Sequence, residues 1–386
     1  MKQKLNKHII FYAVVILAMA GMIWFGLSRN NQPRGAEGVS FLPARVVEVV
    51  EDRTQLNAVG ARVGTQYLRV RLLSGPRRGD VVEARNMLFP IEHAVYAREG
   101  LRLLVFFEQR PGAADYDYFA HVQSYDRSLG IYIVVLGFFG LLALVFGKTG
   151  IRSAFSLVFT FVVIIFLLLP LIVSGHPPAL MTVLLSLCII VVSLISIMGF
   201  EKKTFVSIAG SSLGILFYGI FYLLISAVLR ITGFNVQEVD LLIVAGLGVG
   251  VSELLFCAIL IASLGALMDV SVSLASVTAE ISATDKTAGF KELFSSGMKI
   301  GRDIIGSSSN TLILAFTGTF FIMLILFNIN NVQYAVLINR TDIAIEVLRA
   351  ISASAAMVLC APATAFIGSH VFAAKKGLPK SSKRRV

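Results

Sequence analysis

Eight stretches of this chain are apolar for long enough to cross a bilayer, and nothing else in the sequence constrains the fold as strongly. A helix needs about 20 apolar residues to span the hydrocarbon layer. Within that layer every backbone N–H and C=O must be satisfied by the segment itself or by neighbouring protein. The runs are Ile9 to Leu27, Gly130 to Phe146, Ser153 to Val173, Ala179 to Met198, Phe205 to Leu229, Glu253 to Ile281, Ile304 to Phe327 and Ile343 to Phe372. With 56% hydrophobic residues overall, the chain reads as a polytopic α-helical membrane protein of about eight transmembrane helices.

Charge sets the orientation. The net charge is +11, and all thirteen lysines lie at the ends of apolar runs or in the short loops between them. That is the pattern of positive-inside signals and of contact with anionic headgroups. Eight spans put every lysine and both termini on the cytoplasmic side. A ninth span over Leu241 to Leu260 would put the tail and its six basic residues outside, so Asn235 to Ser252 is expected to be interfacial or re-entrant. Near the N-terminus, Ala18-Met19-Ala20 resembles a leader cleavage site, but the apolar run continues to Leu27, which makes it an uncleaved anchor. The expected location is a membrane that separates the cytoplasm from the outside.

One segment breaks the apolar pattern. Between Ser28 and Ser128 short runs rich in β-branched and aromatic residues alternate with turns: Ala44 to Val50, Tyr67 to Leu73, Asp80 to Arg85, Leu101 to Glu108 and Tyr116 to Gln123. Gly75-Pro76-Arg77-Arg78-Gly79 reads as a turn between two of them. About five short strands predict a small OB-like β-barrel, placed outside the cytoplasm after the first helix. The domains are therefore residues 1–28 (cytoplasmic terminus and anchor), 29–128 (extracytoplasmic β domain), 129–373 (seven-helix membrane domain) and 374–386 (basic tail).

The segment carries fourteen arginines, no lysine and twelve acidic residues. That near balance excludes a nucleic-acid surface. Arg69 and Arg71 are expected to be solvated, and Tyr116, Tyr118 and Phe119 to belong to the core or its rim. His93 and His121 lack a cysteine or carboxylate cluster at ligand spacing, so neither a metal nor another cofactor is expected. Cys188, Cys257 and Cys360 lie inside apolar runs and read as small core residues.

The membrane half carries a carboxylate in an improbable place. Asp269 interrupts the run from Leu254 to Val277, and an Asp at the centre of a span costs roughly 3 kcal/mol on insertion scales. Such a group normally faces a protein interior or a wet cavity and marks a functional site. Steps of three and four from Asp269 reach Ala262, Gly265, Ser273, Ser276 and Glu280, while Leu264, Leu267, Met268, Val270, Val272 and Leu274 occupy the other faces. Small residues in such a stripe also serve close helix packing, which accounts for Gly265 but not for Asp269. In the next span, Asp303, Gly306, Ser307, Asn310 and Thr317 share a face, so Ser273, Ser307, Asn310 and Thr311 are candidate hydrogen-bonding partners of Asp269. Gly297 and Gly306 are candidate packing positions. Glu280, Arg302 and Asp303 are expected at the inner interface, as orientation signals or as functional charges.

No His-Glu-x-x-His, no Ser/His/Asp or Cys/His set and no phosphate-cradling Gly-Lys-Ser/Thr is present. Gly246-x-Gly248-x-Gly250 follows no strand, so it is not a dinucleotide loop. Glu253 and Asp303 do not share a depth with Asp269 that would suit an intramembrane protease. An enzyme is not expected.

These residues carry a resemblance. Gly265-Ala266-Leu267-Met268-Asp269, Glu280-Ile281, Ser296-Gly297-Met298, Ile300-Gly301-Arg302-Asp303 and Asn310-Thr311-Leu312-Ile313-Leu314-Ala315 occur in order as in the YibE/F-like family of bacterial multipass membrane proteins. Gly306-Ser307-Ser308-Ser309-Asn310 departs from the Gly-Thr-Met-Ser-Asn more usual there. The resemblance implies an architecture and not a reaction. It also implies a partner besides the lipid bilayer: a second copy of the chain or a related YibE/F-type subunit. More distantly, Gly-x-x-x-Asp followed by Glu-Ile, a charged loop and a Ser/Asn-Thr-Leu helix is similar to SecD/SecF and RND-type permeases, in which buried Asp residues are associated with proton relay. Two functions are therefore expected as alternatives: a proton- or ion-coupled transporter, or a non-transporting platform whose soluble domain binds an envelope, lipid or protein partner.

Overall fold

The computed structural model describes residues 2–30, 39–58, 60–89, 95–109, 118–231 and 250–373. The chain divides into two compact units, Asn30–Val145 on one side and Met1–Arg29 with Phe146–Val386 on the other.

In the first unit five strands close into a barrel in the order β1-β2-β3-β5-β4. They are β1 (Val39–Leu56), β2 (Arg62–Leu72), β3 (Val81–Leu88), β4 (Arg102–Gln109) and β5 (Tyr118–Tyr125). Only the β3–β5 pair is parallel, a Greek-key closure of OB type. The strands alternate as their pleat requires: Leu42, Ala44, Val46, Leu68, Val70, Leu72, Leu103, Val105 and Phe107 point into one core while their neighbours face out. Each of the five anticipated strands is present, but β1 runs well beyond Ala44 to Val50. Register shifts at Val46/Glu48 and Val49/Glu51 bend this long strand, as bulges do, so that it pairs with both β4 and β2.

The connection before β4 is held by a polar latch invisible in the sequence. Gln66 and Asn86 are buried side chains inside the barrel. Asn86 Nδ2 donates to Val95 O at 2.6 Å and to Gln66 Oε1 at 2.9 Å, and the same Oε1 accepts the N–H of Ala97 at 2.9 Å. Gln66 Nε2 reaches Ala97 O at 3.3 Å and Asp52 Oδ2 at 3.2 Å, and Tyr96 Oη also donates to Asp52, at 2.8 Å. Burial acts to raise the Asp52 carboxyl, but the bonds from Thr54, Tyr96 and Gln66 outweigh it and hold the group below the usual carboxylate range. The bond to Asp52 correspondingly pushes the Tyr96 phenol up. The unit ends with α2 (Ser128–Phe146).

The second unit contains α1 (Lys2–Asn30), α3 (Lys148–Val163), α4 (Leu169–Val173), α5 (Pro178–Met198), α6 (Lys202–Val228), α7 (Val251–Thr284), α8 (Phe290–Ile329), α9 (Tyr334–Ile338) and α10 (Thr341–Phe372). Over the whole chain, eight helical segments among the described residues are long and apolar enough to cross a membrane, matching the eight apolar runs. A π turn, Ile164–Leu168, joins α3 to α4. Pro170 has no N–H to offer Phe166 O, and a widened turn absorbs such a gap. At that point α1 comes close: a Cβ on Gly26 would lie 2.8 Å from Phe166 O. Tyr12 Oη donates to Ser196 O at 3.1 Å. The first helix is thus packed into this unit.

α6, α7, α8 and α10 form the centre. α6 lies against α7 with Tyr218 Oη donating to Phe256 O at 2.9 Å and Tyr222 Oη to Ser252 O at 2.7 Å. Since one residue number rises as the other falls, the two helices are antiparallel, and Leu229 and Gly250 lie at the same end of the bundle. α7 and α10 run parallel, as Ser271 meets Cys360 and Ser282 Oγ donates to Phe372 O. The expectation for Asn235 to Ser252 falls almost wholly outside the described residues, as does the basic tail.

The long sixth run forms one unbroken helix of 34 residues. One expectation changes. The charged stretch before the seventh run is a loop only from Asp285 to Gly289, because helix α8 begins at Phe290 and continues for 40 residues. Gly289 N–H donates to the Glu292 carboxylate at 2.9 Å, a start signal, and neither proline nor a turn sequence interrupts the helix beyond it. Lys291, Lys299, Arg302 and Asp303 are therefore helical.

Candidate functional site

Helix α7 has two contrasting faces. Leu260, Leu264, Leu267, Val270 and Leu274 are buried against α5, α6, α8 and α10. The stripe of Ala262, Gly265, Asp269 and Glu280 is exposed, and Ser273 and Ser276 are half-buried. The spacing read from the sequence is right, but its direction is not: Asp269 points away from the bundle interior. In a bilayer both faces are already out of water, so close packing decides: the leucine side chains fill the contacts with α5, α6, α8 and α10 and take the inside. Asp269 makes no hydrogen bond or ion pair among the described residues.

Helix α8 continues this outward surface. Gly301 packs on Leu274, and a Cβ at Gly297 would lie 3.4 Å from Thr278 Oγ1. These contacts fix an antiparallel register that brings Gly306 level with Asp269 and Asn310 level with Gly265. Arg302, Asp303, Gly306, Ser307, Asn310 and Thr311 are all exposed. Thr311 Oγ1 donates to Ser307 O of its own helix at 3.0 Å, so the anticipated bonds from Ser273, Ser307, Asn310 and Thr311 to Asp269 are not made within this chain. Arg302 and Asp303 form no ion pair with each other among the described residues. Of the three candidate packing glycines, Gly297 does pack between helices. Gly265 and Gly306 have open space where a Cβ would go. The result is one continuous outward face of small and polar groups centred on Asp269.

Two polar features escaped the sequence reading. At the crossing of α6, α7 and α10, Ser271 Oγ lies 3.0 Å from Cys360 Sγ and 3.4 Å from Thr364 Oγ1, and Cys360 Sγ donates to Gly210 O at 3.4 Å. Cys360 is a small core residue, as expected, that also closes a polar seam. The second feature is charged. Arg349 Nη1 donates to Glu346 Oε1 at 3.1 Å, with the side chains 27% and 19% exposed. Glu346 borders an apolar groove of about 290 Å³ that includes Phe316, Phe320 and Ile343, and the Arg349 guanidinium lies over the Phe316 ring. Glu346 and Arg349 stand one helical turn apart inside the last apolar run, and that spacing was the available signal.

The fold and this surface define a class: an integral, multipass helical membrane protein with a small β-barrel inserted in sequence between its first two spanning helices. Within that class the assignment is narrower. The profile of the YibE/F-like protein family matches residues 134–374, more than half of the chain, and the chain belongs to that family. No curated protein and no solved structure matches it.

Proposed function

We propose that the chain is one subunit of a proton- or ion-coupled permease of the bacterial plasma membrane, with Asp269 as the titrating carboxylate. The observation that carries this reading is the outward face. A carboxylate with open space beside it at Gly265 and Gly306 sits near the middle of a helix of 34 residues. Hydrocarbon cannot solvate it. The face is therefore covered by a second helical bundle, either another copy of this chain or a related YibE/F-type subunit. The hydroxyl and amide groups of Ser307, Asn310 and Thr311 then line the seam in which a proton or ion moves. The lysine distribution supports both termini in the cytoplasm and residues 29–128 outside it.

The test is proton uptake into proteoliposomes carrying a trapped pH-sensitive dye, under an imposed gradient. Asp269→Asn is expected to abolish uptake at unchanged folded yield, and Gly265→Cys is expected to cross-link between chains. Undiminished uptake by Asp269→Asn ends the coupling role. If the substitution lowers only the yield of folded protein while deletion of residues 39–123 removes the cellular function, the chain is instead a platform for an envelope, lipid or protein partner, with Asp269 as a lock between helices.

A further inference from the structure

Two arginines of the barrel have carboxylate partners: Arg69 reaches Glu48 at 3.3 Å and Glu83 at 3.9 Å, and Arg53 reaches Glu51 at 2.6 Å. Others lie over tyrosine rings, Arg62 and Arg98 over Tyr96 and Arg85 over Tyr67. One group has neither among the described residues. Arg45 pairs directly across the sheet with Arg71 on β2 and with Arg102 on β4, so three arginines stand in a row on three adjacent strands. Their inward neighbours Ala44, Leu72 and Leu103 are fully buried, and all three arginines are exposed on the outer face. None has an acidic side-chain partner among the described residues. Like charges placed directly opposite destabilise a sheet, which makes this row costly for the barrel alone.

The position of the row explains it. Asp126 N–H donates to Arg102 O at 3.2 Å, and two residues later α2 begins at Ser128. This helix has a mean hydropathy of 2.7 and the length to cross a membrane. Arg71, Arg78, Arg102, Asp126, Ser128 and Pro43 line a shallow hollow of about 490 Å³. The one carboxylate there is already engaged, because Asp126 Oδ1 accepts both the N–H of Ser128, at 3.2 Å, and its hydroxyl. Chain connectivity therefore holds three unpaired guanidinium groups at the depth where the bilayer begins. A guanidinium matches phosphate oxygens in a bidentate fork.

We propose that the row Arg45, Arg71 and Arg102, with the hollow beside it, binds the headgroup phosphate of an anionic phospholipid and seats the barrel on the membrane at the root of α2. The lipid supplies the counter-charge that the sheet lacks. This holds whichever side of the membrane the barrel occupies and does not depend on the permease reading.

The full chain in an uncharged detergent is incubated with phosphatidylglycerol or phosphatidylcholine, and retained lipid is counted by native mass spectrometry. The wild type is expected to retain phosphatidylglycerol in preference. Each arginine-to-glutamine change should weaken retention about five-fold, so R45Q/R71Q/R102Q should weaken it on the order of a hundred-fold, while Arg85→Gln on β3 leaves it unchanged. A second measurement needs no variant: the wild type should unfold at higher temperature in phosphatidylcholine vesicles that contain phosphatidylglycerol than in vesicles without it. Equal retention by wild type and triple variant overturns the proposal. So does displacement of the lipid by inorganic phosphate at matched concentration, which would assign the site to a soluble anion.

Discussion

Gly210 on α6 is the position where close packing can be tested most directly. A methyl group there would overlap Thr364 Oγ1 on α10 and lie 2.9 Å from Thr364 Cβ and 3.1 Å from its Cγ2. Thr364 cannot swing aside cheaply. It is β-branched, and its hydroxyl donates to Cys360 O at 2.8 Å and lies 3.4 Å from Ser271 Oγ. The alternative is for α6 to retreat, which breaks the contact of Cys360 Sγ with Gly210 O at 3.4 Å. Overpacking of this kind costs about 1–3 kcal/mol, and a lost interhelical bond adds about 0.6 kcal/mol. Removing a glycine from a helix returns roughly 1 kcal/mol. Gly210→Ala is thus expected to destabilise the chain by about 1–3 kcal/mol, a fall in melting temperature on the order of 5 °C. Cys257 and Cys360 are buried, so a thiol-reactive fluorophore added during heating in detergent reports unfolding at the site itself. Gly210→Ala/Thr364→Ala should recover part of the loss, since it removes Oγ1 and Cγ2 but leaves Cβ. Gly265→Ala, with nothing within 4 Å, should not lower the transition. If Gly210→Ala melts with the wild type, or if the two glycines behave alike, α6 and α10 do not touch at Gly210.

Other outcomes are equally open to measurement. Replacing Asn86 with leucine leaves Val95 O without its donor, at about 1–3 kcal/mol for a buried polar group, and should speed hydrogen exchange or proteolysis between residues 95 and 101. Asp52 is held below its ordinary range when folded, so its bonds stabilise the barrel above about pH 3.9 and are lost as pH falls through the lowered value. Asp52→Asn should flatten the acid limb of the barrel's unfolding curve. Glu346→Ala strands Arg349 and should destabilise the chain more than the double change Glu346→Ala/Arg349→Leu, because an unpaired charge costs more than an absent pair.

Much of this architecture was legible in the sequence because the signals are local. Apolar runs of spanning length report helices whatever they pack against. Alternation in Leu68 to Leu72 reports a strand whose inner face is apolar. The charged stretch from Lys291 to Asp303 resembles a loop only if polarity is equated with irregularity. A helix ends only where something ends it, and a start at Gly289 with no later breaker carries α8 through. The row of Arg45, Arg71 and Arg102 could not be seen because its members come from three separate strands whose register depends on two bulges in β1.

By itself, then, the sequence determined the eight spanning runs found among the described residues, the presence of a five-stranded unit and the stripe that holds Asp269, since each depends on the period and length of residues along one segment. Only the tertiary structure decided which way that stripe faces. Both faces of α7 are compatible with a helix, and the choice between them is a competition in close packing against α5, α6, α8 and α10. The leucines win it, leaving the carboxylate on the outside.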